Sequence, residues 1–279
     1  MTVPALPLND GRTIPQLGLG VFQVPPEQTA EVVGTALEVG YRHIDTAQMY
    51  GNEKGVGDAI ASSGIARDEL FVTTKLNNSN HRPDDVRRSF DESLEELGLD
   101  HVDLFLIHWP MPEAYDGDYV STWQAVAELT RDGRAKSVGV SNFEPDHLER
   151  IISETGVVPA VNQIEVHPRF GNEAARTASL ERGILVEGWS PIGRARVLDD
   201  PVITTIAERI GRTPAQVTLR WHIERGDIVF PKTMHRARME ENFGLFDFTL
   251  SPEDVLAISA LDQGAEGRLG PHPNNLNRW

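Results

Sequence analysis

Short apolar runs recur along the chain and alternate with longer amphipathic segments. The runs begin near residues 17, 41, 70, 102, 135, 160, 184 and 228 and are rich in Val, Ile, Leu and Phe. Nearly continuous apolar runs of this length are typical of strands buried on both faces, as in parallel sheets. The repeated strand–helix alternation therefore predicts an α/β fold, namely a closed (β/α)8 TIM barrel, with an open doubly wound sheet as the alternative.

Helix boundary signals stand in the segments between these runs. One helix is predicted to begin at Pro83 and to end at Leu97, because an apolar face recurs at helical spacing and Gly98 follows it. Thr213 and Ser251 each precede a proline and are predicted to cap two further helices. The pattern thus places helices where a barrel requires them.

The two ends of the chain have their own patterns. Apolar arms at residues 6–8 and 14–17 flank Asp10-Gly11, which predicts a short N-terminal β-hairpin with a type I′ turn. Residues 264–279 are rich in Gly, Pro and Asn and predict a C-terminal loop over the active-site end of the barrel. No linker or shift in composition interrupts the chain, so residues 1–279 are predicted to form a single domain.

Composition excludes several classes of function. The formal net charge of −16 argues against binding to nucleic acid or to an anionic membrane. No stretch approaches the roughly 18 apolar residues of a membrane helix, and the first residues lack the features of a signal peptide. The absence of cysteine excludes thiolate metal sites and fits a cytoplasmic location. The nine histidines show no metal-ligand spacing, so we expect no metal site.

Four chemically active side chains follow consecutive strand-like runs. They are Asp45, Tyr50, Lys75 and His108. Each has a structural explanation when taken alone, as a turn cap, a turn-packing ring, a surface lysine or a core histidine. Because the carboxyl ends of parallel strands meet at one edge, we expect the four to converge there, where α/β folds bind ligands.

Together the four residues suit the reduction of a carbonyl group. A tyrosine is a weak acid near neutral pH because its ordinary pKa is about 10. Lys75 at close range lowers that pKa, and Asp45 behind it keeps the ammonium charged. Tyr50 is then the general acid, and His108 adds a second hydrogen bond to the same oxygen. Hydride must come from a nicotinamide or a flavin, because no side chain supplies it.

A basic cluster at residues 232–238 is the predicted phosphate site. It follows the last strand and begins a helical run, which is a common phosphate position in barrels. A dinucleotide fingerprint at Gly18 and Gly20 is rejected, because its third glycine is absent and prolines occupy the expected helix start.

These motifs resemble the aldo-keto reductase family. Residues 40–53, 104–110, 136–143, 160–168 and 231–242 are similar to its signature segments, so the resemblance covers almost the whole chain. Within the family, the chain most resembles the actinobacterial 2,5-diketo-D-gluconate reductases. The resemblance implies a monomeric, NADPH-dependent oxidoreductase that reduces a small-molecule aldehyde or ketone, keto-sugars and dicarbonyls included. Tyr50 would donate the proton, and His108 would orient the carbonyl.

The resemblance also implies a cofactor site that runs from the nicotinamide to the adenine. Its nicotinamide residues are Ser141, Asn142, Gln163 and the stacking Trp189, and its pyrophosphate residues are Ser190, Ile192 and Gly193. Its 2′-phosphate residues are Lys232, Thr233 and Arg238, its adenine residues are Glu241 and Asn242, and His235 is a further residue of the cofactor site. His235 stands where an arginine is common in the family, so NADH is expected as a second, less favoured cofactor.

The implied substrate pocket differs from the pattern of the family. Its residues are Phe22, Gln48, Met49, Asn77, Trp109 and His272, and Trp279 is a further residue that would close over the substrate. Gln48 and Asn77 depart from the usual residues and are expected to make the pocket roomier and more polar. Two alternative functions stay open, a Schiff-base lyase that uses Lys75 and a non-catalytic NADPH-binding protein.

Overall fold

A short antiparallel hairpin precedes the main sheet. It consists of β1 (Ala5–Pro7) and β2 (Thr13–Pro15). Its predicted type I′ turn is wrong, because Gly11 alone in the loop has positive φ, at 87°. The loop is the three-residue form, in which a left-handed glycine follows the turn. Leu8 and Ile14 are buried against the first residues of the barrel strands, so the hairpin covers the end of the barrel opposite the strand carboxyl ends.

Eight parallel strands in chain order form the centre of the structure. The computed structural model describes residues 2–276. The strands are β3 (Leu19–Gly20), β4 (His43–Asp45), β5 (Phe71–Leu76), β6 (Val102–Ile107), β7 (Ala135–Ser141), β8 (Val161–Glu165), β9 (Leu185–Trp189) and β10 (Ile228–Val229). Each strand pairs in parallel with the next. All eight lie at the positions that the apolar runs predict.

The first and last strands of this sheet meet and close the barrel. Leu17, just before β3, forms a parallel bridge with Val229 of β10. The Gly18 N–H donates to the Val229 carbonyl at 2.8 Å, and the Val229 N–H donates to the Gln16 carbonyl at 3.1 Å. Closure confirms the predicted TIM barrel and excludes the open doubly wound sheet.

Helices surround the barrel and connect its strands. Within the described residues they are α1 (Pro26–Val39), α2 (Glu53–Ser62), α3 (Pro83–Leu97), α4 (Tyr119–Glu128), α5 (Pro145–Thr155), α6 (Glu173–Leu180), α7 (Pro201–Ile210), α8 (Pro214–Glu224), α9 (Arg236–Phe243) and α10 (Pro252–Ser259). The predicted caps are confirmed, since Thr213 and Ser251 each form a capping box. Gly98 ends α3 with φ 62°. Among these helices none is long and apolar enough to cross a membrane.

Contact between α2 and α3 depends on Gly57. A methyl group at this position would overlap the carbonyl oxygen of Leu97 at the end of α3. We expect Gly57→Ala to lower the free energy of unfolding by about 1–3 kcal/mol, because the helices must separate to admit the methyl. Gly34→Ala is the matched control, since a methyl there meets nothing within 4 Å. The control should stabilise α1 by up to about 1 kcal/mol. Equal effects of the two substitutions in urea denaturation would contradict this account.

Candidate active site

The four predicted catalytic residues lie together, three of them at or just beyond the carboxyl ends of β4, β5 and β6. The Lys75 ammonium donates to Asp45 Oδ1 at 2.7 Å and to the Thr46 carbonyl at 2.8 Å. Tyr50 is not at a strand end, because it lies in a 3₁₀ turn (Gln48–Tyr50) after β4. Its ring centroid is 5.1 Å from Lys75 Nζ and 5.7 Å from the ring of His108.

Burial sets the protonation states of this cluster. Burial acts to lower the pKa of Lys75, but the charges of Asp45 and Tyr50 outweigh it and raise that pKa above its ordinary value. Burial raises the pKa of Tyr50, and the Lys75 charge opposes this only in part. The expectation that Lys75 brings the pKa of Tyr50 below its ordinary value is therefore wrong, because burial has the larger effect. Burial, together with Lys75, holds the pKa of His108 well below 6.5. At neutral pH the site holds an ammonium, a protonated phenol and a neutral imidazole.

A second layer of buried groups stands behind Asp45. Gln163 Nε2 donates to Asp45 Oδ2 at 2.8 Å and to Glu187 Oε2 at 2.9 Å. Glu187 lies on β9 and is fully buried, and burial followed by the charge of Asp45 raises its pKa to about 8. Sequence reasoning missed this residue. The one indication of it in the sequence was the position of an acidic residue within an apolar, strand-like run.

A cleft of about 500 Å³ opens above these residues. It is bounded by ten of the predicted residues besides Asp45, Tyr50 and His108: Phe22, Met49, Trp109, Ser141, Asn142, Gln163, Trp189, Ser190, Ile192 and Lys232. The sequence reasoning missed other residues that line it: Gly20, Gln23, Pro191, Arg194, Phe230, Pro231, Gly270 and Pro271. The cleft therefore joins the acid–base cluster to the predicted cofactor site.

Side-chain hydrogen bonds fix the predicted nicotinamide residues. Trp189 Nε1 donates to Asn142 Oδ1 at 2.8 Å, and Asn142 Nδ2 donates to the His108 carbonyl at 2.9 Å. The Ser141 hydroxyl donates to the backbone carbonyl of Gln163 at 2.7 Å. Asn142 has φ 63°, a left-handed conformation that these bonds stabilise. The indole ring of Trp189 is thus anchored by its polar edge while it lines the cleft.

The C-terminal segment covers one side of the cleft. The Glu165 carboxylate accepts from the backbone N–H of Leu269 at 2.7 Å and of Gly270 at 2.9 Å. Gly270 permits this close approach, because a methyl there would lie 2.6 Å from the Trp189 ring. His272, the predicted pocket residue, is exposed, caps the Asn274 N–H and does not line the cleft. Trp279 lies outside the described residues.

Gln48 and Asn77 do not line the cleft either. Gln48 Nε2 donates to the Ser89 carbonyl at 2.9 Å and to Ser93 Oγ at 3.0 Å, both on α3. Its Oε1 accepts from the Asn77 N–H at 2.7 Å. The Gln48 side chain therefore links the Asn77 loop to α3. The expected polar pocket wall is absent at these two positions, because the Gln48 amide forms its hydrogen bonds with α3 and with the Asn77 backbone instead of facing the cleft.

In the basic segment after β10, residues 232–238, one arginine forms ion pairs and two other cations form none among the described residues. Arg236 pairs with Glu38 at 2.7 Å and with Glu240 at 2.9 Å. Within residues 2–276, Lys232 and Arg238 form no salt bridge, although both are exposed. Two cations are thus available for a phosphate beside the start of α9.

The other predicted cofactor residues lie around this segment. Thr233 is buried and its hydroxyl accepts from the backbone N–H of His235, the residue before α9. Glu241 on α9 accepts from the Thr213 hydroxyl at 2.7 Å, and the neighbouring Asn242 is buried. Gly193 has φ 56° in the loop after β9. These five residues lie outside the lining of the cleft.

No cluster of His, Asp and Glu that could hold a metal ion occurs within the described part of the chain. Asp45, Lys75 and Gln163 are paired with one another, with Glu187 or with backbone atoms.

Comparisons with known proteins agree with one another. The model of the aldo/keto reductase family matches residues 16–263. The chain is 51% identical over 274 residues to an aldo-keto reductase of Mycolicibacterium smegmatis, with 98% of each chain covered. It is 46% identical over 272 residues to methylglyoxal reductase DkgA of Escherichia coli, with 96% of each covered. A solved structure of a Gox0644 mutant in complex with NADPH matches with a TM-score of 0.95 and 46% identity over 100% of both chains.

The raised pKa of Glu187 predicts a pH dependence of stability. In the unfolded chain this carboxyl loses its proton near 4.5, whereas in the folded protein it keeps the proton to about 8. The parent protein should therefore lose stability as pH rises through this window. Glu187→Gln lacks this titrating group. The melting temperature of Glu187→Gln minus that of the parent should therefore increase as pH rises from about 5 to about 8. Glu31→Gln, exposed on α1, is the control and should give a constant difference. A constant difference for Glu187→Gln would contradict the assignment.

Proposed function

The chain belongs to the aldo/keto reductase family, and from this premise we propose that it reduces small uncharged aldehydes and ketones to alcohols with Tyr50 as the general acid. The predicted family resemblance is thereby confirmed. The protein is an NADP-dependent oxidoreductase. The observation that supports the catalytic assignment is that Tyr50, Asp45 and His108 line one cleft, with the buried Lys75 in contact with Asp45 and beside the Tyr50 ring.

The side chains around the cleft fit a nicotinamide dinucleotide. An anchored indole, at Trp189, lines the cleft near the acid–base cluster, and unpaired cations stand at Lys232 and Arg238 within the described residues. When bound, NADPH supplies the hydride. The proposed nicotinamide residues are Ser141, Asn142, Gln163 and Trp189, and the proposed pyrophosphate residues are Ser190, Ile192 and Gly193. The proposed 2′-phosphate residues are Lys232, Thr233 and Arg238, the proposed adenine residues are Glu241 and Asn242, and His235 is a further proposed residue of the cofactor site.

Proton transfer is the part of the reaction that the protein itself performs. Tyr50 donates its proton to the carbonyl oxygen as negative charge develops there. The Lys75 ammonium stabilises the phenolate that remains, and Asp45 keeps the ammonium charged and in place. The raised pKa of Tyr50 keeps the phenol protonated across the neutral range, which is the state that a proton donor requires. His108 is neutral and orients the carbonyl by a hydrogen bond.

The walls beside Tyr50 and His108 favour small, uncharged substrates. The Phe22 ring lies 5.0 Å from the ring of Tyr50, and Met49 and Trp109 also line this part of the cleft. Apolar walls of this kind exclude ionised groups because they offer no compensation for lost hydration. We therefore propose methylglyoxal, related dicarbonyls and aromatic aldehydes as substrates. DkgA, named a methylglyoxal reductase, is consistent with this choice.

Neither alternative function explains the site as well. A Schiff-base lyase requires a neutral lysine, whereas Asp45 and Tyr50 raise the pKa of Lys75, and its ammonium is held by Asp45 and Thr46. A non-catalytic NADPH-binding protein would give no role to the cluster of Asp45, Tyr50, Lys75 and His108. Failure to reduce any member of a broad carbonyl panel would favour that second alternative. The single domain, the monomeric state and the cytoplasmic location stay predictions.

Tyr50→Phe tests the assigned acid. The substitution removes only the hydroxyl, so carbonyl-dependent NADPH oxidation should fall by about 10²-fold or more. The dissociation constant of NADPH, measured by quenching of tryptophan fluorescence, should change by less than about 3-fold. Phe90→Leu in the core is a control for general disturbance. An unchanged turnover rate in Tyr50→Phe would exclude the role of this residue.

The preference for NADPH over NADH should depend on the unpaired cation at Arg238. Arg238→Ala should reduce the ratio of kcat/KM for NADPH to that for NADH by about 10-fold, because a charge-assisted contact to the 2′-phosphate is lost. Arg236→Ala is the matched control, since Arg236 is engaged by Glu38 and Glu240. Its ratio should stay within about 3-fold of the parent. Equal effects of the two substitutions would refute the assignment.

A further inference from the structure

The side chain of Gln163 lies between two carboxyl groups. Its Nε2 donates one N–H to Asp45 Oδ2 at 2.8 Å and the other to Glu187 Oε2 at 2.9 Å. A side-chain amide has two N–H donors and one carbonyl acceptor. Since both donors point into the barrel, Oε1 is the atom of this amide that remains for the cleft, which Gln163 lines.

We infer that Glu187 is a positioning residue, which fixes the Gln163 amide so that Oε1 faces the cleft and accepts an N–H from the carboxamide of the bound nicotinamide. The inference rests on the proposed function, because it assumes that the cleft binds NADP(H). It assigns a role to a buried carboxyl group that proton transfer does not use.

Asp45 by itself would not fix the amide. One of its oxygens is already bound by Lys75, and the other takes only one of the two Gln163 N–H groups. Gln163 is 2% exposed and Glu187 is fully buried. Without an acceptor at residue 187, the second N–H would be buried and unpaired, which favours rotation of the amide. The two acceptors together leave the amide one orientation.

Glu187 can serve here because its raised pKa keeps it mostly protonated at neutral pH. Burial and the charge of Asp45 raise its pKa to about 8, so it offers a carbonyl oxygen without a second negative charge beside Asp45. Its other oxygen faces His43 Nε2 at 3.8 Å, and burial lowers the pKa of His43 to about 4, so that ring is also neutral. Lys75 is the remaining charged group that acts on Glu187.

Neighbouring groups provide no substitute for Gln163 Oε1. The Ser141 hydroxyl donates to the backbone carbonyl of Gln163 at 2.7 Å, and its oxygen accepts from Asn142 Nδ2 at 3.0 Å. Asn142 uses Oδ1 to accept from Trp189 and Nδ2 to donate to the His108 carbonyl. The amide oxygen of Gln163 is therefore the acceptor that this part of the cleft offers to a carboxamide N–H.

The test compares the binding of NADP⁺ with that of its 3-acetylpyridine analogue, in which a methyl group replaces the carboxamide NH₂. Dissociation constants are measured by tryptophan fluorescence for the parent, Glu187→Leu and Glu187→Gln. The parent should favour NADP⁺ by about 3- to 10-fold, the effect of one hydrogen bond. Glu187→Leu should bring the ratio close to unity, because the Gln163 amide is no longer held. Glu187→Gln should preserve it, because a neutral acceptor remains.

Other outcomes overturn the inference. A full preference for NADP⁺ in Glu187→Leu, or a loss of the preference in Glu187→Gln as well, would show that residue 187 does not act through an accepted hydrogen bond. A parent that does not distinguish the two dinucleotides would exclude Gln163 as the acceptor. If Glu187→Leu does not fold, as judged by circular dichroism, Glu187→Val provides the same comparison. Absence of NADP⁺ binding by the parent would instead overturn the proposed function, and this inference with it.

Discussion

The buried ion pair between Lys75 and Asp45 is the interaction on which the rest of the site depends. The two side chains are 0% and 2% exposed, so both have lost their hydration. That loss is offset only by a 2.7 Å contact and by further hydrogen bonds to the Thr46 carbonyl and the Gln163 amide. Asp45 on β4 lies opposite Thr73 on β5, two residues before Lys75. A slip in this register would leave a charge buried without its partner.

Asp45 also connects the acid–base cluster to the proposed nicotinamide site. One carboxylate oxygen holds the lysine that supports the phenol of Tyr50, and the other holds the amide of Gln163 beside the proposed nicotinamide site. Lys75, Asp45 and Gln163 therefore form one continuous network of hydrogen bonds that reaches Glu187 and connects the acid–base cluster to the proposed cofactor site. Networks of this kind are stable in a low-dielectric interior only when nearly every member has its partners.

Closure of the barrel brings the ends of the chain into this network. Gly20 on β3 lies directly against Phe230, and a methyl group there would be 2.7 Å from the Phe230 carbonyl oxygen. This approach places Phe22 and Lys232 on the walls of the same cleft. In an open sheet the first and last strands would stand at opposite edges, and these residues could not share a ligand. The contact between the first and last strands thus places the proposed substrate residue Phe22 and the proposed cofactor residue Lys232 on one cleft.

By itself, the sequence determined the eight strands, the capped helices and the grouping of Asp45, Tyr50, Lys75 and His108, because apolar periodicity, cap residues and polar side chains after strand ends are local signals. It could not determine the surroundings of Gln48, Asn77, His272 and Glu187. Gln48 resembled a pocket residue but is bonded to α3, and His272 lies beyond the part of the tail that lines the cleft. Glu187 gave almost no signal, yet it contacts the amide nearest the acid–base cluster. Only the tertiary structure decided these roles, because the direction of a side chain and the partner it meets depend on elements far apart in the chain.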